Sequence, residues 1–132
     1  MTGAAAGTRT AGVSVAGSPY TSTRGPGTRS AANYSFGTGT TANFTIAKKS
    51  LSVNAVASSK TYGDADPTFG HTLTGYESGE NATTAGVTGA AACTRTAGES
   101  VAGSPYTIPC GPGTLSAANY SFSTGTTANF TI

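Results

Sequence analysis

Along LSVNAV the apolar residues Leu51, Val53 and Ala55 fall on every second position, with Ser52 and Asn54 between them. A period of two puts one set of side chains on one face of an extended strand. The same spacing recurs at Phe69, His71 and Leu73, at Tyr106 and Ile108, at Tyr120 and Phe122, and at Phe130 and Ile132. Each of these stretches is expected to be a short strand. Turn signals separate them: YGDADP, GYESGEN, the GSP tripeptides and GPG. Only ESGENATTAG has the composition to hold a helical turn, and its glycines bar a long helix. The pattern predicts an all-β chain.

A second regularity is much longer. Thr2–Ile46 aligns without gaps on Thr88–Ile132 at an offset of 86, and 38 of the 45 aligned pairs are identical. The seven differences are Gly7/Cys93, Val13/Glu99, Ser22/Ile108, Thr23/Pro109, Arg24/Cys110, Arg29/Leu115 and Gly37/Ser123. Each is reachable by one base change, which points to a recent duplication. With the repeated part called B and the single stretch Ala47–Val87 called A, the chain reads B–A–B. The period of 86 residues suits one β-sandwich module. The chain thus holds one and a half units of about 86 residues, and the period alone does not say which B half belongs with A.

Composition narrows the class. Ala, Gly, Ser and Thr make up 81 of the 132 residues, and there are only three Leu, five Phe and no Trp. Such a chain builds a thin core, so its stability is expected to be modest unless something staples it. The net charge of +2 is too small to imply a nucleic-acid partner, and Arg9, Arg24 and Arg29 are scattered rather than clustered with aromatics. No run approaches the length of a membrane span, and MTGAAAGTRTAG lacks the charged and apolar regions of a secretory signal.

From KKSLSVNAVASSKTYGDADPTFGHTLTGYESGENATTAG through GTLSAANYSF to FTI, the chain resembles the MBG-type repeats. These are glycine-rich, mostly-β modules with a Tyr-Gly-X motif, found in long secreted and cell-surface proteins of bacteria, often of the filamentous-haemagglutinin kind. The residues that carry the likeness are Leu51–Ala55, Lys60, Tyr62-Gly63-Asp64, Asp66-Pro67, Leu73-Thr74-Gly75, Leu115 and Ala118-Asn119-Tyr120. In such repeats the unit runs A then B, so the resemblance implies that 47–132 is a complete module and 1–46 the C-terminal half of a preceding repeat, in which Arg29 stands where Leu115 stands in the second B half. The resemblance implies an Ig-like β-sandwich, with a β-grasp-like fold as the alternative if ESGENATTAG is helical. It implies a stalk, display scaffold or adhesive array at the cell surface or outside the cell, with no chemistry and no cofactor.

The candidate sites are few. Cys93 and Cys110 are the only cysteines, and the first B half lacks both. Joint absence fits a disulfide pair, which an extracellular setting permits; two buried thiols are the alternative. Asp64 and Asp66, with Glu77 or Glu80, could offer oxygens to calcium but fall short of the six to eight it takes. In the motif Tyr62, Gly63, Asp64 and Pro67, the carboxylates are expected to organise a turn, Gly63 to accept positive φ, and Pro67 to lead into the next strand. His71, the only histidine, has no nucleophile or orienting carboxylate beside it in the pattern, so a core or edge position is expected rather than catalysis. Lys48, Lys49 and Lys60 are read as strand-end lysines rather than isopeptide donors, and the sequons at Asn33, Asn43, Asn81, Asn119 and Asn129 as strand residues. The Thr-rich TGTTANFTI patches are too short for an ordered hydroxyl array.

Neighbouring repeats of the same protein are the expected partners. A half-sandwich cannot bury its apolar face alone, so 1–46 could instead mediate homo-oligomers through exposed edges. If the first B half lacks the core that the second has, Ser22 and Arg29 should be more exposed than Ile108 and Leu115.

Overall fold

The structure is a computed structural model that describes residues 1–132. It divides into two compact units, Met1–Ala47 and Lys48–Ile132. Unit 1 holds one antiparallel three-stranded sheet in the order β1 (Ala6–Arg9), β2 (Tyr20–Gly25), β3 (Ala42–Phe44). Its one buried hydrophobic residue is Tyr20.

Unit 2 begins with β4 (Lys49–Ala55), β5 (Ser58–Ser59) and β6 (His71–Thr74) from the A half. The B half adds β7 (Ala92–Cys93), β8 (Tyr106–Ile108), β9 (Cys110–Gly111), β10 (Tyr120–Thr124) and β11 (Ala128–Thr131). These form sheets in the orders β10–β4–β6, β5–β11–β8 and β7–β9. The alternation read from the sequence sets the inward faces. Leu51 and Val53 are fully buried from β4, as are Ile108 from β8 and Phe130 from β11. Val53 shares one core with Ile108, Phe130 and Cys110, so side chains of two sheets meet face to face, the layering of a sandwich. Leu51 packs in a second cluster with Ala117 and Tyr120, flanked by Tyr76, Ala85, Val87 and Phe122.

The A half crosses from one sheet to the other, and its strands β4 and β5 each pair with a strand of the B half, while β6 pairs with β4. β4 runs parallel to β10, with Leu51 opposite Phe122, and β5 runs parallel to β11, with Ser58 opposite Phe130. Between them Gly125 N donates to Val53 O and Ala55 N to Thr126 O. No α-helix forms. ESGENATTAG makes a single turn in which Asn81 Oδ1 accepts from Thr83 N and Thr84 N, and Ala85 N donates to Asn81 O. The one short helical segment is a 3-10 turn at Val101–Gly103.

Three expectations need correction. Phe69 precedes β6 rather than lying in it, although it packs against the core with Leu73; His71 takes the edge position expected of it and is exposed. Pro67 lies in irregular chain and does not open β6 directly. Among the sequon residues, Asn43 and Asn129 lie in strands, Asn33 and Asn119 lie outside them, and Asn81 caps the turn just described. In each case a side chain–backbone bond or an irregular segment replaced the regular alternation that the sequence suggested.

Candidate functional site

The polar residues that the fold concentrates are Lys60, Asp66, Arg95 and Glu99. Lys60 follows β5, where its backbone N donates to Thr131 O and holds the chain end against β11. Its Nζ reaches Asp66 Oδ1 at 2.8 Å and Glu99 Oε2 at 2.5 Å. Arg95 donates from Nε to Asp66 Oδ2 at 2.6 Å and from Nη2 to Oδ1 at 3.0 Å, a two-pronged grip on the carboxylate, and also pairs with Glu99. The Lys60 and Arg95 side chains are only 5% and 8% exposed. Cations buried to that extent need acceptors at hand, and the two carboxylates supply them.

The guanidinium is placed by aromatic faces and by backbone. Its carbon lies 5.0 Å from the Phe130 ring centroid and 5.6 Å from that of Tyr106, within cation–π range. Nη1 donates to Gly98 O at 2.6 Å. Gly98 has φ 146°, and a Cβ there would lie 2.1 Å from the Tyr106 ring, so only glycine lets the ring close over the backbone. The Tyr106 hydroxyl donates to Ser100 O at 2.9 Å and accepts from Ser100 N at 3.1 Å.

This network sets the charge states. The Arg95 hydrogen bonds, then Lys60, bring the Asp66 carboxyl down to about 2. Glu99 is lowered by Lys60 first and Arg95 second, and Lys60 is raised by Asp66 and then Glu99. Both Asp66 oxygens face cationic side chains, so the turn role expected of it is corrected: Asp66, one of the two weak calcium candidates, is an ion-pair acceptor. Asp64 closes a turn in which its N donates to Thr61 O, with Gly63 at φ 92° and Tyr62 69% exposed. Glu77 pairs with Lys49 at 2.7 Å, and Glu80 accepts from the Tyr120 hydroxyl. Lys48 Nζ donates to Ala117 O at 2.9 Å.

Cys93 and Cys110 are joined by a disulfide. They face each other across β7 and β9 with Cα atoms 4.1 Å apart. The flanking bond from Thr94 N to Pro109 O makes 93/110 a non-hydrogen-bonded pair, the close-approach position of an antiparallel ladder. Gly7 and Arg24 occupy the same register in unit 1.

Comparing the halves explains most of their differences. Ser123 Oγ bonds Leu51 O and Ser50 Oγ, Glu99 bonds Lys60, and Ile108 and Leu115 share the core with Val53. All four touch or pack with the A half, whereas their counterparts Gly37, Val13, Ser22 and Arg29 belong to unit 1, which holds no A strand. Ser22 is half-buried and Arg29 exposed, against a fully buried Ile108 and a half-buried Leu115, the expected order. Pro109 in place of Thr23 has no structural explanation. Arg9 keeps the aromatic seat of Arg95, 4.8 Å from the Phe44 centroid and 5.6 Å from Tyr20, and donates to Gly12 O at 2.6 Å. It makes no ion pair.

Sequence reasoning missed this four-residue network. The available signal was Val13/Glu99: one copy gains an acid that the other lacks, four residues after an arginine present in both. No helix in the chain is long and apolar enough to cross a membrane. Searches of curated proteins and of solved structures each return no match. The family model of the MBG domain (YGX type) matches residues 51–131, which takes in both halves of unit 2 and nearly all the pairings described above. The chain belongs to the MBG domain family of the YGX type.

Proposed function

We propose that unit 2 is a non-enzymatic, load-bearing repeat of a secreted or cell-surface protein, serving as a stalk or display scaffold alongside neighbouring repeats. The observation that carries this reading is the parallel course of its two terminal strand paths. Residues 49–59 run beside 120–131 in the same direction, so Lys48 and Ile132 leave opposite ends of the module. Tension between those ends loads the ladder hydrogen bonds in shear, all together, instead of opening them one at a time. The Lys60–Asp66–Arg95–Glu99 network ties the two halves across the same seam. Its polar groups are engaged with one another, which suits a structural role better than a reactive one. Membership in a family of repeat domains of secreted and surface proteins supports the extracellular setting.

Single-molecule pulling of the full chain tests this. Handles at Lys48 and Ile132 should give a markedly higher rupture force than handles at Lys48 and Ser116, which peel the module from one end. Equal forces in the two geometries would remove the stalk reading.

A further inference from the structure

Unit 1 carries a cavity of about 500 Å³ lined by Met1, Ala31, Tyr34, Ser35 and Phe36, with Ala32 and Asn33 between them. The internal repeat identifies it. At the offset of 86, Met1, Ala31, Tyr34 and Phe36 correspond to Val87, Ala117, Tyr120 and Phe122, and in unit 2 those four residues surround the fully buried Leu51. Three of the four are identical in the two copies. Tyr34 is 78% exposed where Tyr120 is 4% exposed, and Phe44 is 46% exposed where Phe130 is fully buried. The backbone beside the cavity is also unpaired: residues 35–40 form no strand, whereas their counterparts contribute to β10, held by β4.

We propose that unit 1 is a strand acceptor whose cavity takes the leucine of an A-type segment, with the sequence character of residues 48–60, from another repeat of the same protein. The incoming strand would run parallel to residues 34–38 and then 44–45, as β4 and β5 run along β10 and β11. Residues 48–60 of the same chain cannot fill the place. They already complete unit 2, and the three residues Ile46–Lys48 reach only about 11 Å. To lie in parallel register they would have to run back along β4, roughly 20 Å long. A second copy is a poor donor too, because its A segment would have to abandon its own B half for one that lacks Ile108, Leu115 and Glu99. The site is therefore weaker than its twin and suited to reversible engagement. The proposal rests on the internal repeat alone and stands or falls independently of the stalk reading.

The test adds a synthetic peptide of residues 47–62 to the full 132-residue chain and follows binding together with hydrogen exchange. One peptide should bind per chain, slowing exchange at residues 34–38 and 44–45. Leu51→Asp in the peptide should weaken binding about tenfold or more, the loss of one buried leucine. Ser22→Ile with Arg29→Leu in the chain should tighten it, a gain that no folding defect can mimic. The proposal is overturned if the peptide does not bind, or if the Leu51→Asp peptide binds equally well. It is also overturned if exchange slows at 119–131 instead, or if the chain alone dimerises with protection at 34–38.

Discussion

Arg95 sits on Tyr106 and Phe130, and Arg9 on their counterparts Tyr20 and Phe44, yet only Arg95 meets carboxylates, because Asp66 belongs to the A half and Glu99 is valine in the first copy. That difference has a pH signature. Asp66 is ionised in the folded state down to about 2, against an ordinary value of 3.8. A carboxyl lowered on folding contributes stability that is complete above its ordinary value and lost as the pH falls through the folded one. Glu99 acts in the same direction. Thermal denaturation of unit 2 should therefore be nearly independent of pH above 5 and fall steeply between about 4 and 2. Asp66→Asn should lower stability at neutral pH and flatten the acid limb; an unchanged limb would show that the network contributes nothing. A second residue offers a gain. The Tyr76 hydroxyl is buried without a partner, and burial pushes its phenol up. Tyr76→Phe should raise stability by about 1 kcal/mol, because it removes an unpaired polar group at constant shape. A loss measured by denaturant unfolding would mean that the hydroxyl is bonded in solution.

Among elements, β7 and β9 are each two residues long and owe their alignment to the disulfide as much as to their ladder. Cys110 lies in the core while Cys93 is half-buried, so the bridge ties this short ribbon to the residues around Val53 and Phe130. In the chain-entropy model, a closed loop with a separation of 17 residues stabilises by roughly 3 kcal/mol. Replacing both cysteines by serine, or reducing them, should lower the unfolding free energy of unit 2 by about that amount and leave unit 1 unaffected. A shift below ~1 kcal/mol would show that the ladder and core already hold the ribbon. The Tyr106 ring closed over Gly98 is a second local lock. Gly98→Ala forces a Cβ into the ring and should cost more than the ~1 kcal/mol of an ordinary glycine replacement.

At the scale of the whole chain, two nearly identical B sequences take two different states. In unit 2 the B half is paired with A on both sheets, and Phe130, Leu51, Ile108 and Val53 are fully buried. In unit 1 the same strands bury Tyr20 alone among hydrophobic residues. Amide exchange should therefore be slower at 120–131 than at 34–45, residue for residue, because opening in unit 1 breaks fewer tertiary contacts. Equal protection in the two segments would mean that unit 1 is completed in solution by another segment.

Much of this was legible in the sequence. The alternation at Leu51/Val53, Tyr106/Ile108 and Phe130/Ile132 fixed which faces turn inward, since a strand has only two faces and one must leave water. The shared absence of both cysteines from the first copy marked them as a pair. The 86-residue offset defined the B–A–B order without any structural knowledge. Phe69 misled because alternation along the chain cannot report where irregular backbone gives way to a strand, while His71 took the edge position expected of it. The ion network was beyond reach because its members lie at 60, 66, 95 and 99, brought together only when β5 pairs with β11 and places Lys60 beside the Arg95 seat. What the sequence determined by itself was local: face, turn, repeat and family resemblance follow from neighbours along the chain. Which B half receives the single A segment was decided by tertiary structure, through connection length, parallel register and the few side chains that differ between the copies.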